Sequence, residues 1–414
     1  MTLLLLAIVV FTLAYAMVAK RMATTMLTAP MVFLAYGAAL SQSGLMVHSQ
    51  AEALLHVVAE LALIILLFLD AAQIDLRALR QQHIWPVRML LIGLPLSVVL
   101  GALAAWPFLS DWPLVAIVLV AAILAPTDAA LGQAVVTNPI VPDRARRALT
   151  VESGLNDGLA LPVILLFASL TASAVPGATT WALFAAKQLI LGPAVGLVIG
   201  VVGGVVLLWA KAAETTSEAF EGVGAIAMAG AAYLAAIAVG GNGFISAFVA
   251  GLAFGHIIQG QCKFVYEFTE GDGHLLSWGA FLLIGMVLVP EAIKHLTLAT
   301  LGLILVSLVV VRPAAIWLSL IGTDASAPSR LFFGWFGPRG LATALFALLV
   351  VGQIDHPYAE PILAIAINAV WISAVLHGLS ALPGARLYAA RVADMGDCAE
   401  RMPAKVSAKP LVTR

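Results

Sequence analysis

Apolar runs of about twenty residues, separated by short links rich in Gly, Pro and charge, repeat along almost the whole chain. A hydrocarbon core about 30 Å thick is spanned by about 20 residues of helix. On that measure the sequence divides into thirteen candidate spans, at about 2–19, 28–46, 53–75, 85–108, 112–137, 144–171, 179–209, 218–239, 242–260, 273–290, 296–321, 328–352 and 359–383. The runs are continuous and rich in Leu, Ala, Gly and Val, without the period-two alternation of a membrane barrel, so they predict helices. Composition agrees: 62% of residues are hydrophobic and 10% charged, with a mean hydropathy of +1.05. This is the balance of an all-α polytopic membrane protein.

Basic residues mark the cytoplasmic side of such a protein. Of 21 Lys and Arg, seventeen lie at or beside the connections after odd-numbered helices or in the C-terminal tail, and only Lys294 lies in an even connection. The N-terminus is therefore expected outside and the C-terminus in the cytoplasm. Lys187, Arg312 and Arg339 fall within apolar spans and need separate reasons. Ala14-Tyr15-Ala16 resembles a cleavage site, but no basic segment precedes it and Lys20-Arg21 follow, so the first span reads as a retained helix. Cys262 and Cys398 are far apart in sequence and predict neither a disulfide nor a metal site. The eight His are scattered without metal-ligand spacing; His256 or His377 is a candidate for tuning a pH response.

Ionisable residues inside a membrane are costly and mark ion or proton pathways by default. Here they are Glu60, Asp70, Asp128, Glu152, Asp157, Arg312 and Arg339. Each alone also fits a helix cap, a buried ion pair or a snorkelling group. Helix 6 concentrates them. In "VESGLNDG", 151–158, Ser153 and Asp157 stand at i and i+4, and Glu152 and Asn156 form a second such pair about 100° around the axis. A hydroxyl, an amide and a carboxylate on one side suit a hard monovalent cation. A polar helix contact would use Ser or Asn without two acids. Gly154 and Gly158 leave room for close approach of another helix.

Two helices carry internal breakers. Pro126 in "LAPTDAALG", 124–132, should unwind helix 5 at Thr127-Asp128, and Gly337, Pro338 and Gly340 flank Arg339 in helix 12. Helices 5 and 12 occupy corresponding places in two units, helices 1–6 and 8–13, of opposite orientation. Paired broken helices of this kind point to a transport site near the midplane of an inverted repeat. Their ends carry opposite partial charges. Asp128 is expected near the positive ends and Arg339 near the negative ones, stabilising the crossing.

The strings "PTDAALG", "VESGLNDG" and "GPRGLA", in that order on helices 5, 6 and 12, resemble the NhaP-type sodium/proton antiporters of the monovalent cation/proton antiporter superfamily, over residues 1–383. The resemblance implies the antiporter fold, with a core of helices at about 85–171 and 296–383 moving against a scaffold at about 2–75 and 179–290 that also forms a homodimer. Residues 384–414 would be a short basic cytoplasmic tail without a large regulatory domain. It further implies that Asp157 binds cation and proton, and that Asn156 is the neutral neighbour that sets "ND" members apart. Ser153 and the Thr127 region would supply further ligands to the transported ion, and Glu152 would pair with Arg312 of helix 11. Asp70 stands where relatives often carry Glu, so its reach to the ion is shortened.

If Glu152 and Asp128 are neutralised by their partners, one central charge remains, on Asp157, and holds one proton or one cation but not both. One-for-one, voltage-insensitive exchange follows, with Na+, Li+ or K+ and H+ as partners, lipid around the protein, no cofactor and no nucleic acid. A sodium-coupled solute symporter on a related inverted-repeat fold, a cation channel, or an intramembrane enzyme using Asp128 and Asp157 as an acid pair are the other readings. The chain shows no GxSxG, HExxH, P-loop or dinucleotide fingerprint, and enzyme activity is not expected.

Overall fold

The computed structural model describes residues 2–22, 25–44, 48–74, 84–172, 178–259, 261–354, 356–396 and 398–401. Arg77, Arg80, Lys405, Lys409 and Arg414, which entered the orientation argument, lie outside the described residues, as does His83. Among the described residues, the helices fall into thirteen consecutive spans and there is no strand. They are α1 (Thr2–Met22), α2 (Ala29–Ser41), α3 (His48–Ala72), α4 (Ile84–Phe108), α5 (Leu114–Ile123 and Ala129–Val136), α6 (Asp143–Thr171) and α7 (Ala178–Ala212). There follow α8 (Glu218–Ala238), α9 (Gly243–Ile258), α10 (Lys263–Val287, prolonged by Val289–Lys294), α11 (Leu298–Ser319), α12 (Ala327–Trp335 and Leu341–Val351) and α13 (His356–Asp394). Among the described residues, seven helices have both the length and the hydropathy to cross a membrane.

Without a hydrophobic force between helices in lipid, close backbone packing at small residues holds such a bundle together. In one group α7 lies on α9 through Gly196 and Gly200, which face the backbones of Ser246 and Ala250. α9 lies on α3 through Gly251 and Gly255, and α2 and α10 meet at Gly37 and Gly285. In a second group α4 packs on α5 and α11, α6 on α5, and α12 on α13. A separate apolar cluster, including Trp85, Met89, Val135, Leu149, Ile316, Phe333 and Tyr388, joins α4, α5, α6, α11, α12 and α13 at one end.

Both broken helices are interrupted where Pro and Gly fall: α5 at 124–128 and α12 at 336–340. Each is the fifth helix of its unit, α1–α6 or α8–α13, as the repeat requires. A second pair of irregularities was not foreseen. α4 contains a wide π turn at Met89–Gly93 and α11 another at Ser307–Val311, and these are the fourth helices of the same units. α13 also departs from expectation. It runs through Pro383 to Asp394, because Ala385, Tyr388 and Val392 present a buried face and Tyr388 stacks on Phe332 of α12 at 3.9 Å.

Candidate functional site

The two gaps lie against each other, and the charged residues expected there occupy them. An interrupted helix leaves carbonyls free at one broken end and amides free at the other. Arg339 donates from Nη1 to the carbonyls of Ala125 (2.6 Å) and Pro126 (3.0 Å), where the first half of α5 ends. Asp128 accepts from the Leu131 amide at 3.3 Å and from the Leu341 amide, and its own N–H donates to Pro338 O at 2.9 Å. One carboxylate therefore serves the starting turns of both second halves. Gly340 is needed for this contact, since a side chain there would run into the Asp128 carboxylate.

On α6, the Glu152 carboxylate is buried against Arg312 of α11, each 2% exposed. The guanidinium donates in parallel, Nη1 to Oε1 at 3.2 Å and Nη2 to Oε2 at 3.1 Å. α12 passes directly over this pair, and Gly337 leaves the space that the guanidinium fills. Glu152 has two neutral donors as well, Thr127 Oγ1 at 3.3 Å and Asn156 Nδ2 at 3.3 Å. Asn156 also donates to Thr127 Oγ1, which lies 3.3 Å from Ser153 Oγ.

Donor arithmetic shows what is left over. With Thr127 giving its one hydrogen to Glu152, Ser153 must donate to Thr127, and both amide hydrogens of Asn156 are used. Asn156 Oδ1 and Asp157 Oδ1 are buried and have no donor among the described residues. Acceptor oxygens on Ser153, Asn156 and Asp157 thus remain together on one stretch of α6 without hydrogens to satisfy them, a set that a cation or a proton completes. Asp157 is half-buried, and Asp128, Asp70 and Glu152 stand close enough to act on it electrostatically.

Asp70 comes from α3, in the other group of helices; its backbone oxygen is near Gly154 of α6. Gly154 makes only an ordinary contact there, whereas Gly158 is tight against the Phe248 ring of α9 rather than a backbone. Glu60 is apart from this cluster and accepts from the Tyr233 hydroxyl. Lys187 is exposed near the start of α7, and His256 is exposed on α9.

Several participants were not singled out as parts of the site. Ser373 of α13 accepts from the Arg339 amide at 2.7 Å, and His377 Nδ1 lies 3.0 Å from the same hydroxyl, so His377 is built into the crossing. Asn368 donates to the Ala292 carbonyl at 2.6 Å and fastens α13 to the end of α10. The sequence did carry a signal: Ser373, His377 and Ser380 follow one another at i, i+4 and i+7 on a helix that is otherwise apolar.

A family model described as "Sodium/hydrogen exchanger, transmembrane" matches residues 6–385. The chain belongs to this family. The chain is 29% identical over 340 residues to a K(+)/H(+) antiporter NhaP2 of Shewanella sp. (strain MR-4), covering 80% of this chain and 57% of the relative. It is 30% identical over 295 residues to a K(+)/H(+) antiporter NhaP of Alkalimonas amylolytica, covering 70% of this chain and 49% of the relative. The chain thus spans about half the length of the curated relatives it matches. Its fold is that of the sodium proton antiporter MjNhaP1 from Methanocaldococcus jannaschii, with a TM-score of 0.76 over 94% of this chain and 98% of that one, at 19% identity.

Proposed function

We propose that the protein exchanges a monovalent cation, Na+ or K+ with Li+ as an analogue, for a proton across the membrane, with both ligands competing for Asp157. The observation that carries this reading is the set of buried acceptor oxygens on Ser153, Asn156 and Asp157, two of them without any donor among the described residues. The potassium/proton antiporter relatives support it as a choice of substrate class.

The helices α4–α6 and α11–α13 are the carrying unit, a reading supported by the apolar cluster they share at one end. Within that unit Glu152 is matched by Arg312, and Asp128 and Arg339 are matched with broken helix ends. Asp157 alone changes charge. Asp70 sits on α3, outside the carrying unit, and does not travel with the ion. Each loaded state of the carrier is therefore neutral, and exchange proceeds one for one without sensing the membrane potential. We place the N-terminus outside and the C-terminus in the cytoplasm on the distribution of basic residues. The remaining helices form the scaffold, where two copies meet by analogy with the family.

Proteoliposomes with an imposed pH gradient test the reading. Adding Na+, K+ or Li+ should dissipate the gradient with the wild-type protein and not with Asp157→Asn. Persisting exchange in Asp157→Asn would move the seat elsewhere, and dependence on a clamped membrane potential would overturn the one-for-one stoichiometry.

A further inference from the structure

The wide turns in α4 and α11 have the same construction. Each occupies five residues, Met89–Gly93 and Ser307–Val311, and closes with an amide bonded five residues back, Leu94 to Met89 and Arg312 to Ser307. In each case a proline follows directly after that closing residue, Pro95 and Pro313. A proline in a helix has no N–H for the carbonyl four residues earlier, and its ring pushes against that carbonyl. For Pro313 this is Val309 and for Pro95 it is Leu91, both inside the wide turn. The extra residue removes the clash, and it rotates everything beyond by about 100° relative to an unbroken helix.

What lies just beyond in α11 is Arg312, whose guanidinium meets Glu152 through two nitrogens. The helices also cross near these turns: Gly93 faces Ile316 and Ser319, and Gly101 approaches Ala121 and Val311. α12 rests on Pro313 itself, because a side chain at Gly334 would come within 2.7 Å of the Pro313 Cα.

We propose that Pro313, by holding the π turn at Ser307–Val311, is the positioning residue that aims Arg312 at Glu152. Through Glu152 it sets where Thr127 and Asn156 stand beside the cation seat. The effect on transport rests on the function proposed above; the effect on the ion pair does not.

Pro313→Ala restores the missing amide and allows the wide turn to shift along α11. A proline that merely interrupted the helix would leave a protein as stable as wild type or more so, since alanine is the better helix former. The positioning role gives the opposite result. The cation concentration for half-maximal exchange should rise about tenfold and the pH profile should move, with the maximal rate within about twofold of wild type. In the Arg312→Gln background Pro313→Ala should add nothing further. A second variant, deletion of Val310, which is 55% exposed, removes the inserted residue and turns Arg312 by about 100° away from Glu152, and should reproduce the affinity loss. A readout independent of transport is the loss of melting temperature caused by Glu152→Gln, which should be large in wild type and small in Pro313→Ala or the Val310 deletion. Unchanged half-saturation in both variants, or an undiminished Glu152→Gln effect in them, overturns the proposal. Absence of exchange by the wild-type protein would count against the function proposed above, and the melting comparison would still decide the role of Pro313.

Discussion

Replacing Glu152 with Gln and replacing Arg312 with Met should not destabilise the protein in the same way. Both members of the pair are 2% exposed, and breaking a buried ion pair by removing one partner costs about 3–5 kcal/mol because a charge is left without compensation. The two stranded charges have different escapes. A guanidinium does not lose its proton in a protein. After Glu152→Gln, Arg312 keeps only a neutral amide and the Phe333 carbonyl at 3.5 Å. A carboxylate left by Arg312→Met still has Thr127 and Asn156 as donors and can take up a proton. For an ordinary carboxyl that proton uptake costs about 4 kcal/mol at pH 7 and about 1 kcal/mol at pH 5. Thermal unfolding of the purified protein in detergent at both pH values should therefore show Glu152→Gln destabilised at each, and Arg312→Met destabilised mainly at pH 7. The double variant, with no charge to bury, should recover most of the loss. Equal, pH-independent effects of the two single changes would refute this account, as would a double variant less stable than the worse single one.

Gly340→Ala places a methyl against the Asp128 carboxylate and should lower stability by about 3 kcal/mol or more, read as loss of folded protein; Gly352→Ala, which has open space, serves as the control and should be neutral. Asn156→Ala removes the donor shared by Thr127 and Glu152 and should raise the half-saturating cation concentration about tenfold, checked by the proteoliposome assay. Asp324, in the link between α11 and α12, is exposed, and although the protein packed around its carboxyl opposes the charge, hydrogen bonds from Arg144 (2.7 Å) and Trp85 (2.7 Å) outweigh this and hold that carboxyl below the usual pKa. Its contribution is complete above the ordinary carboxyl range and vanishes as the pH falls through the lowered pKa of the folded state. Asp324→Asn should thus lower the melting temperature slightly at pH 7, by no more than about 1 kcal/mol of stability, and have no effect once Asp324 is protonated.

Hydropathy alone made the thirteen spans legible, because lipid imposes one length and one composition on every crossing segment. The breaks in α5 and α12 were legible too, since Pro126 and Pro338 cannot continue a ladder of backbone hydrogen bonds. The pairing of Glu152 with Arg312 was not readable from spacing; the two are far apart in sequence, and only the family resemblance joined them. Asp128 was expected near positive helix ends, but that one carboxylate meets two of them depends on the two gaps facing each other, which no local pattern records. The glycines around Arg339 were read as breakers, whereas Gly337 and Gly340 also provide space for side chains arriving from other helices. The wide turns escaped notice because a proline in an apolar run signals a kink without showing how the backbone resolves it. Aligning "MLLIGLP" with "SLVVVRP" would have exposed the shared proline position.

The crossing is completed by an exchange between the two halves of the chain. α5 receives Arg339 from the later half, and α12 receives Asp128 from the earlier one. During synthesis the earlier half must wait in the bilayer with bare carbonyls at Ala125 and Pro126 until α12 is inserted. Neither half is a finished object by itself, so a gene split after α7 would yield two fragments that gain a settled structure only by finding each other.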